Sequence, residues 1–166
     1  MTVEVATRVD LEAFVASEYP RVVAAVRLIT GDRDAAPDAV QEALAGILAS
    51  PPAREIDNLA AYVTVVASNK LRDLQRRRGA ESRAYDKLPV QRDIATDELS
   101  ALDTDVAAAI RSLPERQRDV CIHHYLLDHS VDDIAKAMAI SSGTVKTQLH
   151  RARATLAAVL TNGGER

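Results

Sequence analysis

The stretch from Ile140 to Leu156, ISSGTVKTQLHRARATL, holds Ser142, Thr144, Lys146, Thr147, His150 and Arg151 and contains no carboxylate. Hydroxyls, an imidazole, an ammonium and a guanidinium donate hydrogen bonds to phosphate oxygens and to base edges. Val145, Leu149, Ala152 and Leu156 recur at helical spacing. Turning ~100° per residue from Val145 puts Thr147, His150, Arg151, Gly143 and Thr144 on the far side, with Lys146 and Arg153 on its flanks. The chain carries a net charge of -3, so a helix face cleared of acids implies a negative partner, and DNA is the expected one.

A second set of donors lies in AYVTVVASNKLRDLQRRR. Asn69, Lys70, Arg72, Arg76 and Arg77 form a basic track with one amide able to contact a base. Each phosphate such a track neutralises releases counterions, so binding there should weaken steeply with salt. Asp38, Gln41 and Glu42, with Ala45, share a polar face of DAVQEALAGIL, which by periodicity alone reads as a solvated acidic surface.

Cys121, His123, His124 and His129 crowd CIHHYLLDH, but the run lacks the matched second ligand pair of a zinc site, and Cys121 and Tyr125 are expected to face the core. There is no glycine-rich phosphate loop and no suggested nucleophile–base set. No metal, cofactor or small-molecule substrate is expected, and nothing argues for an enzyme.

The elements that must position these groups are all helices. An Ala-rich chain with 3% aromatic residues and no Trp favours close-packed helices. One helix is expected from about Leu11 to Glu18. A second is opened by Pro20, carries Val22, Val23, Val26 and Ile29 inward, and is capped by Gly31. Val40, Leu44, Ile47 and Leu48 predict a third from about Ala36 to Ala49. The prolines of SPPAREIDN break the pattern, and Asp57 or Asn58 caps a fourth whose buried side is Leu59, Val63, Val66, Leu71 and Leu74.

Residues 89–97 read as a linker between units 1–88 and 98–166. In the second unit Pro114 opens a helix and Ser130 caps a short one with Asp132 and Asp133 in its first turn. Ile134, Met138 and Ile140 are its apolar positions, with Ala135 small where helices cross. Ser141 or Ser142 caps the last helix. A short helix, a tight turn and a second helix with a polar outer face make a helix–turn–helix, whose second helix enters a major groove. The expected fold is all-α, with two small helical domains joined by a flexible linker.

Charge alternates along this plan. Residues 1–50, 51–88, 89–140 and 141–166 carry -4, +3, -5 and +3, as though a polyanion were touched at two places. No apolar run reaches the roughly 18 residues of a membrane span, the N-terminal stretch lacks the pattern of a signal peptide, and Cys121 is alone. A cytoplasmic protein without direct membrane insertion is expected.

Three motifs resemble the extracytoplasmic-function (ECF) group of bacterial σ factors, the initiation subunits of RNA polymerase. They are YPRVVAAVRLITGDRDAAPDAVQEAL, NLAAYVTVVASNKLRDLQRRR and LPERQRDVCIHHYLLDHSVDDIAKAMAISSGTVKTQLHRARATL, in that order, over nearly the whole chain. The resemblance implies that Asp38, Gln41 and Glu42 dock on the clamp coiled coil of the largest polymerase subunit, with the flap region as a further contact. It implies that Asn69, Arg72 and Arg76, with their neighbours Lys70 and Arg77, read the −10 promoter element. Ser50 to Asn58 would capture a flipped base, and Ser142, Thr144, Lys146, Thr147, His150 and Arg151 would read the −35 element. It also implies an inhibitory anti-σ partner.

The departures are specific. Leu44 and Leu48 stand where the family commonly has a bulky aromatic, and Tyr62 is the one aromatic near a usual Trp, although stacking on unpaired bases favours aromatic faces. Ala139 replaces the usual turn Gly, which is tolerable where the backbone stays in an ordinary region. The alternative is a helix–turn–helix regulator whose first unit is an interaction domain and which binds duplex without polymerase.

Overall fold

The computed structural model describes residues 11–53, 56–82 and 104–163, and all the regular structure among them is helical. Helix α1 covers 11–17, α2 Tyr19–Thr30, α3 Ala36–Ala49 and α4 Leu59–Ser82. In the second half come α5 Thr104–Ser112, α6 Glu115–Cys121 continued by a π turn over Ile122–Leu126, α7 Val131–Met138 and α8 Ser142–Gly163. The expected linker at 89–97 and the division around it lie outside the described residues.

The expected caps are present. Gly31 takes the left-handed conformation (φ 71°) and donates to the Arg27 carbonyl. The Asn58 side chain, rather than that of Asp57, accepts from the Ala61 N–H at 3.0 Å to start α4. Ser130 accepts from the Asp133 N–H at 3.1 Å, and Ser141 from the Thr144 N–H at 3.0 Å. The Asn58, Ser130 and Ser141 side chains each satisfy a donor that the first turn of a helix leaves without a partner.

Phe14, Val22, Val26, Val40, Ile47, Val63 and Leu71 form the core of α1–α4. Several expected core positions differ, Leu59 and Val66 of α4 being only partly buried. Leu44 is only partly buried and Leu48 is 56% exposed. The inner face of α3 is Ala36, Ala39, Val40, Ala43 and Ile47, and at ~100° per residue Leu48 lies about 120° from its centre. Alanines face inward because α3 lies close against α4. Leu74 is on the inner side of α4 but past the end of this core, and is exposed.

In the second half, Val120, Ile134, Ala135, Val145 and Leu149 form one cluster, and Leu113, Cys121 and Ala152 another. Tyr125 does not face the core as expected. It is half-exposed at the end of the π turn, hydrogen-bonded to Arg153, whose guanidinium lies 5.7 Å from its ring centre. Nor does the turn stay in an ordinary backbone region. Ala139 adopts φ 55° and ψ 45°, because the chain must reverse within one residue between α7 and α8.

The two halves share a further core. Ala25, Leu28 and Ile29 of α2 pack against Ile110, Ile122 and Leu127, with Leu126 and Leu156 at its margin. The α2 helix thus has two buried faces, Val22 and Val26 turned to α3 and α4, and Leu28 and Ile29 turned to the helices after residue 104.

Candidate nucleic-acid and protein interfaces

Helix α8 is anchored by Val145, Leu149 and Ala152, all at most 2% exposed, with Leu156 partly buried. The buried stripe fixes the rotation of the helix and so decides which side chains look outward. Thr144, Lys146, Thr147, His150 and Arg151 are all exposed. Ser142 is half-buried at the start of the helix and donates to Asp132 at 3.1 Å, which ties α8 to α7. Thr147 is hydrogen-bonded to the Gly143 carbonyl. Five of the six residues expected to meet DNA here therefore share a solvent-facing surface.

The α4 track is divided. Asn69, Lys70, Arg76 and Arg77 are exposed, whereas the side chain of Arg72 is only 11% exposed. Its guanidinium makes a two-pronged contact with Asp119 of α6, at 2.8 and 2.6 Å, and a further contact with Glu115 at 3.0 Å. Burial lowers the pKa of Arg72, but the hydrogen bonds and charge of Asp119, with Glu115, more than offset this and hold it above its ordinary value. A bidentate guanidinium–carboxylate pair is the geometry that would otherwise grip a phosphate.

Further polar contacts line the same seam. Asn58 donates to Asp133 at 3.2 Å, Lys136 pairs with Asp57, Arg118 donates to the Ile29 carbonyl at 3.0 Å, and Arg21 donates to the Leu126 carbonyl at 2.6 Å. Between α4 and α6 the seam leaves a cleft of about 260 Å³, lined by Ser68, Asn69, Arg72, Arg76, Glu115 and Asp119 among others. The Asp57–Asn58 end of the loop expected to capture a base is thus in contact with α7. Sequence reading assigned no role to Asp119, Glu115, Arg118 or Lys136. The one signal for them was the acidic block at 89–140, opposite in sign to the block holding α4.

On α3, Asp38, Gln41, Glu42 and Ala45 are exposed together, turned away from Val40 and Ile47. Gln41 reaches the Tyr19 hydroxyl at 3.4 Å. The face carries two carboxylates, Asp38 and Glu42.

In CIHHYLLDH, His123 and His129 are buried and their Nδ1 atoms lie 3.0 Å apart. Burial, then the neighbouring imidazole, pushes His123 down to about 3. Burial pushes His129 down to about 4, against Asp133 and Asp128 and with Arg21 acting to lower it. Both rings are neutral at pH 7, sharing one proton between two nitrogens. Burial pushes the Cys121 thiol up, partly offset by Arg153. Among the described residues no three of His, Cys, Asp and Glu converge to hold a metal ion, and no helix is long and apolar enough to cross a membrane.

Residues 14–81 match the Sigma-70 region 2 family, and residues 104–156 match Sigma-70, region 4. The RNA polymerase sigma-E factor of Streptomyces coelicolor is 31% identical over 151 residues, covering 89% of this chain and 84% of that protein. The ECF RNA polymerase sigma factor ShbA of Streptomyces griseus is 28% identical over 108 residues, covering 60% of this chain and 56% of that protein. Among solved structures, the sigma factor RpoE in complex with the anti-sigma factor NepR from Bartonella quintana superposes with a TM-score of 0.75 at 26% identity. That match covers 92% of this chain and 97% of the other. CnrH, solved in complex with the cytosolic domain of CnrY, shares the fold (TM-score 0.65, 23% identity, 91% and 87% covered). Both halves match σ regions, in the order regions 2 and 4, and a relative covered over 84% of its length exceeds 30% identity: the chain belongs to the ECF subfamily of sigma-70 factors and is an alternative RNA polymerase sigma factor.

Proposed function

We propose that the two σ functions are divided between a unit of residues 1–88 and a unit of residues 98–166, joined by a linker at 89–97. The first docks on core polymerase through Asp38, Gln41 and Glu42, and reads and helps to open the −10 element through Asn69, Lys70, Arg72, Arg76 and Arg77. The second reads the −35 element through Ser142, Thr144, Lys146, Thr147, His150 and Arg151. The factor has no catalysis of its own, as its family's members are not enzymes, and it works in the cytoplasm where polymerase and promoter DNA are. An anti-σ factor is its inhibitory partner. The support for that is the similarity to RpoE, which was solved with one.

The observation that carries the reading is the outward face of α8, where Thr144, Lys146, Thr147, His150 and Arg151 are exposed over a fully buried stripe. The test is transcription in vitro with σ-free core polymerase on a genomic library. The protein should give a small set of starts sharing an upstream element. Arg151→Ala should lower their use by roughly one to two orders of magnitude, the 1–3 kcal/mol of a bidentate base contact, while core binding is retained. Unchanged starts with Arg151→Ala would remove that residue from the −35 interface. Specific duplex binding without core would favour a regulator instead.

A further inference from the structure

Ser68 of α4 carries a hydroxyl that is buried and has no hydrogen-bond partner among the described residues. Such a group costs free energy until something polar comes to meet it. Ser68 borders the cleft of about 260 Å³ between α4 and α6. So does the buried His123, whose Nδ1 is taken by His129 and whose Nε2 is left to offer. These polar groups are set among Ile29, Val65 and Met138, which come from α2, α4 and α7.

The mouth of the cleft has a different chemistry. Asn69, Arg76 and Arg116 are exposed there, against Glu115 as the one exposed carboxylate of the lining. Arg76 also reaches Asp73, at 3.3 Å. Deeper in, Arg72 and Asp119 neutralise each other. The rim thus favours an anion, while the interior favours a flat, partly apolar group with hydrogen-bonding edges. An asparagine amide matches the N6 and N7 edge of adenine, and a methionine thioether suits an aromatic ring. An adjoining groove of about 500 Å³ shares Ile29, Arg72, Arg76 and Glu115 and leaves room for a charged tail.

We propose that this cleft binds an adenine mononucleotide, with the base held by Ser68, Asn69 and Met138 and the phosphate by Arg76 and Arg116. The cleft lies just below the ~300–1,000 Å³ of ordinary small-molecule sites, which limits the ligand to a single nucleotide. The site shares Asn69, Arg72 and Arg76 with the proposed −10 surface. Nucleotide binding needs neither polymerase nor promoter, so its test stands apart from that reading.

The experiment titrates the full chain with AMP by calorimetry, beside adenosine, inorganic phosphate and a four-nucleotide deoxyadenosine strand without terminal phosphate. AMP should bind with a Kd of ~10 μM, the value ordinary ligand efficiency gives a molecule of that size. Adenosine should bind about tenfold more weakly or worse, and phosphate more weakly still. Arg116 and Ser68 lie outside the surfaces proposed for polymerase and DNA. Arg116→Glu should weaken AMP about tenfold or more and leave adenosine unchanged. Ser68→Ala should weaken both. Its unfolding temperature without ligand should equal or exceed that of the wild type, because the hydroxyl it removes has no partner to lose.

Absence of AMP binding at millimolar concentration overturns the site. Phosphate binding as tightly as AMP also overturns it, and would mean an anion resting on exposed arginines. A strand binding as tightly as AMP overturns it in favour of a DNA path. AMP binding that neither Ser68→Ala nor Arg116→Glu weakens places the nucleotide elsewhere and overturns it as well. None of these outcomes bears on the docking and −35 assignments, which core binding and transcription read.

Discussion

Ala139 turns the chain between α7 and α8 in a conformation where a Cβ crowds the next carbonyl, at a cost of about 1–2 kcal/mol. The turn persists because the Ile140 N–H still reaches the Ala135 carbonyl at 3.0 Å and because Ile134 and Val145 are locked in one core. Ala139→Gly relieves the crowding and gives back part of the gain through a freer unfolded chain. A net stabilisation of about 0.5–1 kcal/mol is expected, read as an unfolding temperature a few degrees higher; a lower one would contradict the strain.

The buried imidazole pair sets a pH limit. Folded, His123 and His129 have pKa values depressed to about 3 and about 4; unfolded, each returns to about 6.5. Between those values the unfolded chain binds protons that the folded chain excludes. Their contribution is therefore intact above pH 6.5 and is lost as pH falls toward 4. Down to pH 5.5 the loss reaches up to about 1.4 kcal/mol per histidine. Unfolding temperatures at pH 7.5 and 5.5 should differ accordingly, and His129→Gln should narrow the gap. A flat profile in the wild type would mean that the pair is charged or open to water.

At the scale of elements, the docking role proposed for the exposed face of α3 should be separable by substitution from the DNA contacts proposed for α4 and α8. Asp38→Ala with Gln41→Ala removes exposed side chains whose one contact inward is the long Gln41–Tyr19 hydrogen bond, so unfolding stability should fall by no more than about 1 kcal/mol. Binding to σ-free core should fall by at least an order of magnitude, measured by titration of labelled protein. Retained core binding would move the docking site elsewhere.

Helices were the most legible part of the molecule because their signals are local. Pro20, Gly31, Asn58, Ser130 and Ser141 each act within four residues of themselves, and all end or begin helices where expected. Rotation was less legible where alanine sets the packing. In α3 the bulky Leu48 suggested an inner face that the small Ala39 and Ala43 provide instead, since close approach favours the small side.

Across the whole molecule, charge blocks were visible in the sequence and their pairing was not. Periodicity tells which face a residue occupies on its own helix. It does not say that Arg72 meets Asp119, because that contact depends on how two units dock and both residues read equally well as solvated. For the same reason Leu28 and Ile29 could be recognised as apolar while the elements covering them, Ile110, Ile122 and Leu127, could not be named. The basic track of α4 was thus legible as chemistry, and the pairing of its Arg72 with Asp119 only in three dimensions. A net charge of -3 is expected to weaken DNA binding by the free chain.

The central claim is that specific promoter contact by this chain depends on polymerase holding its two helical halves apart. The most direct measurement is promoter opening, followed by permanganate reactivity of unpaired thymines, on a template bearing a mapped start. Wild-type protein with σ-free core should render the −10 region reactive, and neither component should do so alone. Reactivity absent from the combined sample, with both components shown to be active and mixed at saturating concentration, would contradict the account.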